Sequence, residues 1–501
     1  MPLWTSKAAQ YWILAIASSV TFITFLALNF VSYTSLPGIP ALQIDAVRSS
    51  HKFEAFELEG ISIALPFPEC PASLENEQRL SWLIDTLDTR IRVLSDEKER
   101  PACHLTLGRF DPVLRLTSRS RLSHPISFAI NLRDSQHVLP SQMRALLTAI
   151  HYLLPNHAVY LSIYENDSKD TTKRMLAELA AALEKIGIDG LWITSSGMHS
   201  GINMATRINR LAEIRNAALR PLLPHAGAGT VIFLNDVILC ASDIFELILQ
   251  SQTQSADVVL GVDWAESHIP SQPYVYDAWV LRGINGQMVY KQHKDTPWPM
   301  VPPTGRDWLT HAFSTQSEEN HSRWLNNLPF PVYAGWGGIV ALRADLFVEH
   351  GLRFRSSKHT GWTGGSVSGS MGKWGKLVTD WDYMNGDCPG DSECGLVMRD
   401  IWNIRAGRAR VVLASQVNTA YSIREWKAAR LILPFIPRED RFTAEELINW
   451  TKVTIPEGVI CMPTRTEDGT AHDAHDTKLF RYLTLKPLYE PTIKPNVAYG
   501  R

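Results

Sequence analysis

The sequence has 501 residues, 45% of them hydrophobic and 16 of them tryptophan, enough apolar material for one large or two ordinary domains and too much for a disordered chain. Its 49 basic and 51 acidic residues leave a formal charge of -2. That balance excludes a global attraction to a nucleic acid polymer or an anionic membrane, so partners must be read locally.

Residues 1–10 precede an uncharged run, Tyr11 to Val31 (YWILAIASSVTFITFLALNFV). Its length matches the ~20 apolar residues that span a bilayer as a helix, and it exceeds the usual apolar region of a cleaved signal peptide. Lys7 and the amino terminus lie before it and no charge follows until Asp45, which predicts a short cytosolic tail and a lumenal bulk, a single-pass type II arrangement. Three acceptor sequons, at Asn166, Asn320 and Asn449, are compatible with that compartment. Six cysteines allow six thiols or any of about fifteen full pairings, so spacing assigns none. The absence of a C-x-x-C pair or paired-histidine motif argues against a zinc site.

Residues 32–60 mix Ser, Pro and charge and read as a stem. Residues 61–123 read as a helical cap region, with a polar helical piece over 73–98. From 124 the pattern becomes regular. Strands are predicted at 126–131, 158–164, 191–194, 230–234 and 257–262, and helices at 139–154, 171–187 and 206–219. Gly187 serves as a helix stop, and Asp243 with Glu246 as a capping pair for a helix running to Gln250. Strand and helix in alternation imply a mostly parallel Rossmann-type α/β sheet with helices on both faces, over residues 124–430. Residues 356–376 (SSKHTGWTGGSVSGSMGKWGK) are too rich in Gly and Ser for a core element, and 431–501 form a C-terminal extension.

Ligands bind beyond the carboxyl ends of the strands in such sheets. Polar tips stand at four of these ends: Asn131, Glu165, Asn235 with Asp236, and Asp263. An aspartate there suits a hard divalent cation that bridges a carboxylate to substrate phosphates, although an Asn-Asp pair also ends strands for purely local reasons.

Several stretches, in order, carry a family resemblance: FAINLRDSQHVLP, LSIYENDSKDTT, RLAEIRNAALRPL, VIFLNDVILCASDIFEL, VVLGVDW, YDAWVLR, GWGGIVALRADLF and SECGLVMRDIW. Over roughly residues 124–425 the chain resembles the fungal α-1,3-mannosyltransferases associated with capsule synthesis, the Cap59-like group. The resemblance implies a GT-A-type glycosyltransferase that uses GDP-mannose and a divalent metal, Mn2+ or Mg2+, in a Golgi or other secretory membrane. It makes Asn131, Glu165, Asp170, Arg215, Asn216 and Asn235 donor-binding candidates, Asp236 the metal ligand, and Glu393, Asp263 and Asp236 the catalytic candidates. Trp264, Asp277, Trp279, Arg282 and Trp336 are the acceptor-side candidates. GT-A enzymes usually end the metal strand in Asp-x-Asp, whereas this one ends Asn235-Asp236-Val237 and leaves one carboxylate where two are expected. The implied reaction moves mannose to a hydroxyl of a mannose-containing glycan with retention. A lumenal polysaccharide-binding or assembly factor that keeps the fold without turnover is the rival of another class, and a transferase of another sugar is a third reading.

Overall fold

The computed structural model describes residues 67–95, 99–115, 121–197, 204–266, 273–277, 279–289, 312–356, 392–432, 441–456, 458–460 and 482–484. The tail, the apolar run at 11–31, the stem and all but the first residue of the Gly/Ser stretch lie outside them. Among the described residues no helix is long and apolar enough to cross a membrane.

Short continuous apolar runs set the strands, because helices cover the central sheet on both faces and both sets of side chains are buried. Four parallel strands come first: β1 (Ile126–Leu132), β2 (Val159–Glu165), β3 (Gly190–Ser195) and β4 (Thr230–Leu234). They lie in the order β3-β2-β1-β4. Further strands are β5 (Val258–Glu266), β6 (Pro273–Val275), β7 (Arg282–Gly283), β8 (Phe330–Ala334), β9 (Ile339–Arg343) and β10 (Val411–Ala420). They complete a ten-stranded sheet running β3-β2-β1-β4-β9-β5-β10-β8-β7, with β6 on β5. Strands β1 to β5 and β10 share one direction, so the architecture is mixed α/β with a mostly parallel central sheet. An apolar run alone does not reveal that β9 runs against its neighbours between β4 and β5.

The main helices are α1 (Asn76–Ile91), α2 (Leu139–Leu153), α3 (Thr172–Ile186), α4 (Met204–Leu219), α5 (Ala241–Thr253), α6 (Glu318–Leu325), α7 (Glu393–Ile404) and α8 (Ile423–Ile432). They cover both faces of the sheet. Val231 and Phe233 of β4 share a core with Ile214 of α4 and Val397 and Ile401 of α7, whereas Ile232 and Leu234 face Leu146 of α2, Leu179 of α3 and Ile248 of α5. Leu83, Leu87 and Ile91 of α1 join that second core, so the region before the sheet is packed onto it. Gly187 ends α3 with φ of 73°, the left-handed conformation that glycine adopts without strain.

Helix α5 begins differently from the expected capping pair. Asp243 sits at its third residue and accepts from the Cys240 amide at 2.8 Å. Glu246 instead turns to Arg109, whose guanidinium bonds Glu246 at 2.8 Å and Glu446 at 2.6 Å, all three side chains being buried. This network draws residues 441–456 and the 99–115 segment onto α5.

The β8–β9 turn is built on glycine. Gly337 has φ of 60°, and a Cβ there would lie 2.0 Å from the carbonyl oxygen of Gly261 in β5. The turn therefore sits directly on the β5 backbone. Gly337→Ala should destabilise the fold by roughly 2 kcal/mol or more, through backbone strain and overpacking, read as a lower urea midpoint at unchanged slope.

Cys103 and Cys240 form a disulfide across a sequence separation of 137, anchoring the loop that follows β4. In the chain-entropy account such a long closed loop contributes about 4–5 kcal/mol. Replacing both cysteines by serine should lower the stability by an amount of that order, measured by denaturant unfolding of the oxidised protein beside the variant.

Candidate active site

The carboxyl ends of β1, β2, β4 and β5 bring the strand-end residues to one edge, and its centre is a buried cation. Arg215 on α4 is 7% exposed. Its Nε donates to Glu393 Oε1 at 2.9 Å, one guanidinium nitrogen donates to Asn235 Oδ1 at 3.1 Å, and the group lies 4.4 Å from the centroid of the Trp336 ring. Burial opposes this charge, while Glu393 favours it, and the Arg215 pKa is raised on balance. Planar geometry lets arginine pair with carboxylate, amide and ring at once.

Asn235 is fixed from every side. Its amide donates to the Gly338 carbonyl at 2.9 Å, its own carbonyl accepts from Gln142 Nε2 at 2.7 Å, and its side-chain oxygen also accepts from Trp336 Nε1 at 3.2 Å. Asp236 follows on a loop that Ile238 bonds to Ala420 at the end of β10. Among the described residues no side chain donates to the Asp236 carboxylate. Burial pushes its pKa up, against the pull of His137 and Arg215.

A second acidic pair stands beside it. Asp263 Oδ1 accepts from the Asp277 amide at 3.1 Å and Oδ2 from the Tyr421 hydroxyl at 2.9 Å. Burial raises the Asp263 pKa to about 6, against these hydrogen bonds. Asp277 is raised well above the ordinary range, by burial first and then by the Asp263 charge. Glu393 starts α7, and its neighbour Ser392 caps that helix by accepting from the Gly395 amide at 3.2 Å. Glu393 is 2% exposed, and among the described residues its Oε2 has no hydrogen-bond partner. The sequence also offers Glu393 a salt bridge to Arg399 or Arg405, and of these Arg405 bonds Asp257 and Asp345 instead.

Other candidates hold structure. Glu165 is fully buried and accepts from the Ser168 amide and the Ser195 hydroxyl, so its carboxylate shapes the loop after β2. Asp170 accepts from the amides of Gln136 and Thr172 at 3.0 and 2.9 Å, ordering the entry to α3. Asn216 clamps Phe354 through both its amide and its carbonyl, at 3.0 and 2.8 Å. Trp264 is a correction, since its ring is fully buried against Trp324 and its Nε1 donates to Asn418 at 2.8 Å, leaving no face for a sugar. Trp336 is also buried and serves as the platform under Arg215. Arg282 is buried in β7 and donates to the Leu281 carbonyl. Asn131 Oδ1 and Trp279 Nε1 are buried polar atoms without a partner among the described residues. Tyr421, Tyr276 and Gln142 belong to the site and were missed. The polar strand-end pattern could not find them, because Tyr421 follows a strand that the sequence reading did not place.

Two of the three sequons also change meaning. Asn166 and Asn320 are 7% and 5% exposed, so a glycan on either has no room in this packing, whereas Asn449 is exposed.

A family model described as Cryptococcal mannosyltransferase 1 matches residues 125–368. Over that stretch, nearly half of the chain, the sequence is similar to this Cap59-like mannosyltransferase family. Strands β1 to β9, Arg215, Asp236, Asp263 and Asp277 fall within the match, and Glu393 and Tyr421 lie beyond it. The α-1,3-mannosyltransferase CMT1 of Cryptococcus neoformans var. neoformans serotype D is 28% identical over 340 residues, covering 65% of this chain and 62% of that relative. The chain thus spans less than two thirds of that relative. Among solved structures, residues 1–349 of S. aureus TarS align at TM-score 0.28 and 12% identity over 62% of this chain and 64% of TarS. The TarS complex with UDP-GlcNAc aligns at TM-score 0.29 and 13% identity, over 62% and 65% of the two chains.

The raised Asp263 pKa has a definite sign in stability. Holding the proton stabilises the fold below the ordinary aspartate pKa, and that contribution is lost as pH rises through about 6. Asp263→Asn removes the buried charge and also the charge that raises Asp277. The variant should therefore gain stability relative to the parent as pH goes from 4 to 8, by roughly 2 kcal/mol, measured as urea midpoints across pH.

Proposed function

We propose that this chain transfers mannose from GDP-mannose to a hydroxyl of a mannose-containing acceptor, forming an α-1,3 linkage with retention. The observation that carries the reading is the buried Arg215–Glu393 pair beside Asp236, at the strand-end edge where a phosphorylated ligand binds in such sheets. The family match supports the sugar, and the name of the Cryptococcus relative supports the linkage.

Each residue has a role set by its partners. Asp236 fits a divalent cation such as Mn2+ or Mg2+, because its carboxylate takes no side-chain donor among the described residues and such ions fill much of their shell from phosphate oxygens and water. When bound, that cation supplies charge neutralisation to the leaving diphosphate. Arg215 faces the same edge with a fixed positive charge. During transfer the C1–O bond to the diphosphate breaks, a C1–O bond to the acceptor forms, and the acceptor proton leaves with the diphosphate. Glu393 keeps Oε1 on Arg215, which leaves Oε2 to orient the acceptor hydroxyl or offset positive charge at C1. Asn131 Oδ1 is a free acceptor for a donor N–H or O–H at the end of β1. Glu165, Asp170, Asn216 and Asn235 act by holding the surrounding loops.

The Cys103–Cys240 disulfide and the exposed Asn449 sequon support a secretory lumen, and the uncharged run at 11–31 supports a type II anchor in a Golgi or related membrane. A second reading, a glycan-binding or assembly factor of capsule-type polysaccharide, draws on Asn235. An amide committed to Arg215 and Trp336 occupies the place of a second metal carboxylate.

A donor screen by mass shift of a mannoside, with and without manganese, separates these readings. Product with GDP-mannose supports transfer, and donor binding without product supports the binder. Asp236→Ala should lower transfer by about a hundredfold or more while the unfolding midpoint stays near that of the parent, and undiminished transfer would remove Asp236 from the cation site.

A further inference from the structure

The acidic edge has one open aromatic wall, and it lies where Trp264 was expected. Tyr276 follows β6, and Tyr421 follows β10. Their rings stand 4.8 Å apart, tilted by 60°, as an open corner. Tyr421 is locked in place, since its hydroxyl donates to Asp263 and the residues just before it are bonded to the Asp236 loop through Ala420 and Ile238. Tyr276 is held through its backbone, whose amide donates to the Asp263 carbonyl at 2.9 Å, yet its side chain is 51% exposed. A half-exposed ring beside a buried one usually continues a core outward. Here the ring instead stands beside Asp263, whose carbonyl its amide meets, and Asp277, the next residue; the charges of Asp263, Asp277 and Asp236 act on its hydroxyl, and Arg207 acts in the opposite sense.

That combination suits one class of ligand. A hexose carries a C–H face that is apolar and a rim of hydroxyls that are polar, and an aromatic ring next to hydrogen-bond acceptors meets both needs at once. A nucleobase would also stack, but carboxylates outnumber the one cation, Arg207, that acts on the Tyr276 hydroxyl, which disfavours a diphosphate-bearing partner at the corner itself. We infer that Tyr276 and Tyr421 form the acceptor-sugar subsite, with a mannosyl ring lying on Tyr276 and its hydroxyls directed toward Asp263 and Asp277. The inference deepens the transferase reading and rests on it for the word acceptor, while the sugar site itself stands on the corner and its carboxylates. Tyr276 is the residue to vary, because Tyr421 is coupled to Asp263.

Two variants of the full chain test it. Tyr276→Ala should raise the acceptor KM about tenfold or more and leave the GDP-mannose KM within about twofold, while Tyr276→Phe, which keeps the ring, should restore the acceptor KM to near the parent value. An unchanged acceptor KM in Tyr276→Ala, or a matched rise in both KM values, overturns the subsite while leaving transfer itself standing. Should the parent protein transfer nothing, mannotriose binding is followed by saturation-transfer NMR on the same three proteins. Binding present in the parent and in Tyr276→Phe and lost in Tyr276→Ala then upholds the subsite although the transferase reading has failed. Equal binding in all three, or none in the parent, overturns it.

Discussion

The site depends on keeping one arginine charged away from water. A buried guanidinium is stable only where its donors and its face are all occupied, and for Arg215 those occupants come from the end of β4, the β8–β9 turn and the start of α7. Three segments distant in sequence are thereby held at fixed separations around a single planar group. Removing one partner of such a pair costs about 3–5 kcal/mol, because the other charge is left uncompensated, so the geometry is hard to relax without loss of the fold. The neighbouring Cys394 thiol is pushed well above its usual range by burial, so it stays neutral and adds no competing anion.

What the sequence made legible was whatever is encoded locally. Short apolar runs and period-3.6 patterns located β1 to β5 and α2 to α4 to within a few residues, because burial demands the same pattern wherever the chain goes next. The strand-end rule then picked out Asp236 and Asp263, since parallel strands necessarily bring their carboxyl ends to one edge. Choice of partner is not local. Arg215 and Glu393 are 178 residues apart, and nothing in either segment excludes Arg399 or Arg405 as the mate of Glu393. The antiparallel insertion of β9 is equally hidden, because its apolar run is the same in either direction. Trp264 shows the limit of residue type: an indole at a strand end suits a sugar or a core, and only Trp324 and Asn418 decide for the core. Tyr276 and Tyr421 escaped notice because each is unremarkable until the fold sets one against the other.

Charge is the last step of the argument. Asp263 and Glu393 act on Asp277, and Asp236, Asp263 and Asp277 all act on Tyr421, so a diphosphate entering this edge would meet mostly negative groups. Burial favours the neutral forms of Asp263 and Asp277, which relieves part of this, and Arg215 offsets Glu393. Among the described residues Asp236 is then the carboxylate without a counter-charge in contact, on a loop tied to both β10 and the disulfide-anchored start of α5. A lone, half-buried carboxylate at the mouth of a phosphate-binding edge is unfavourable for an anion by itself and favourable for an anion that arrives with its cation. Under the proposed function metal and donor binding would therefore depend on one another, since either alone meets an unbalanced charge. Asn235, standing beside Asp236 at the end of β4, holds the arginine instead of adding a second carboxylate.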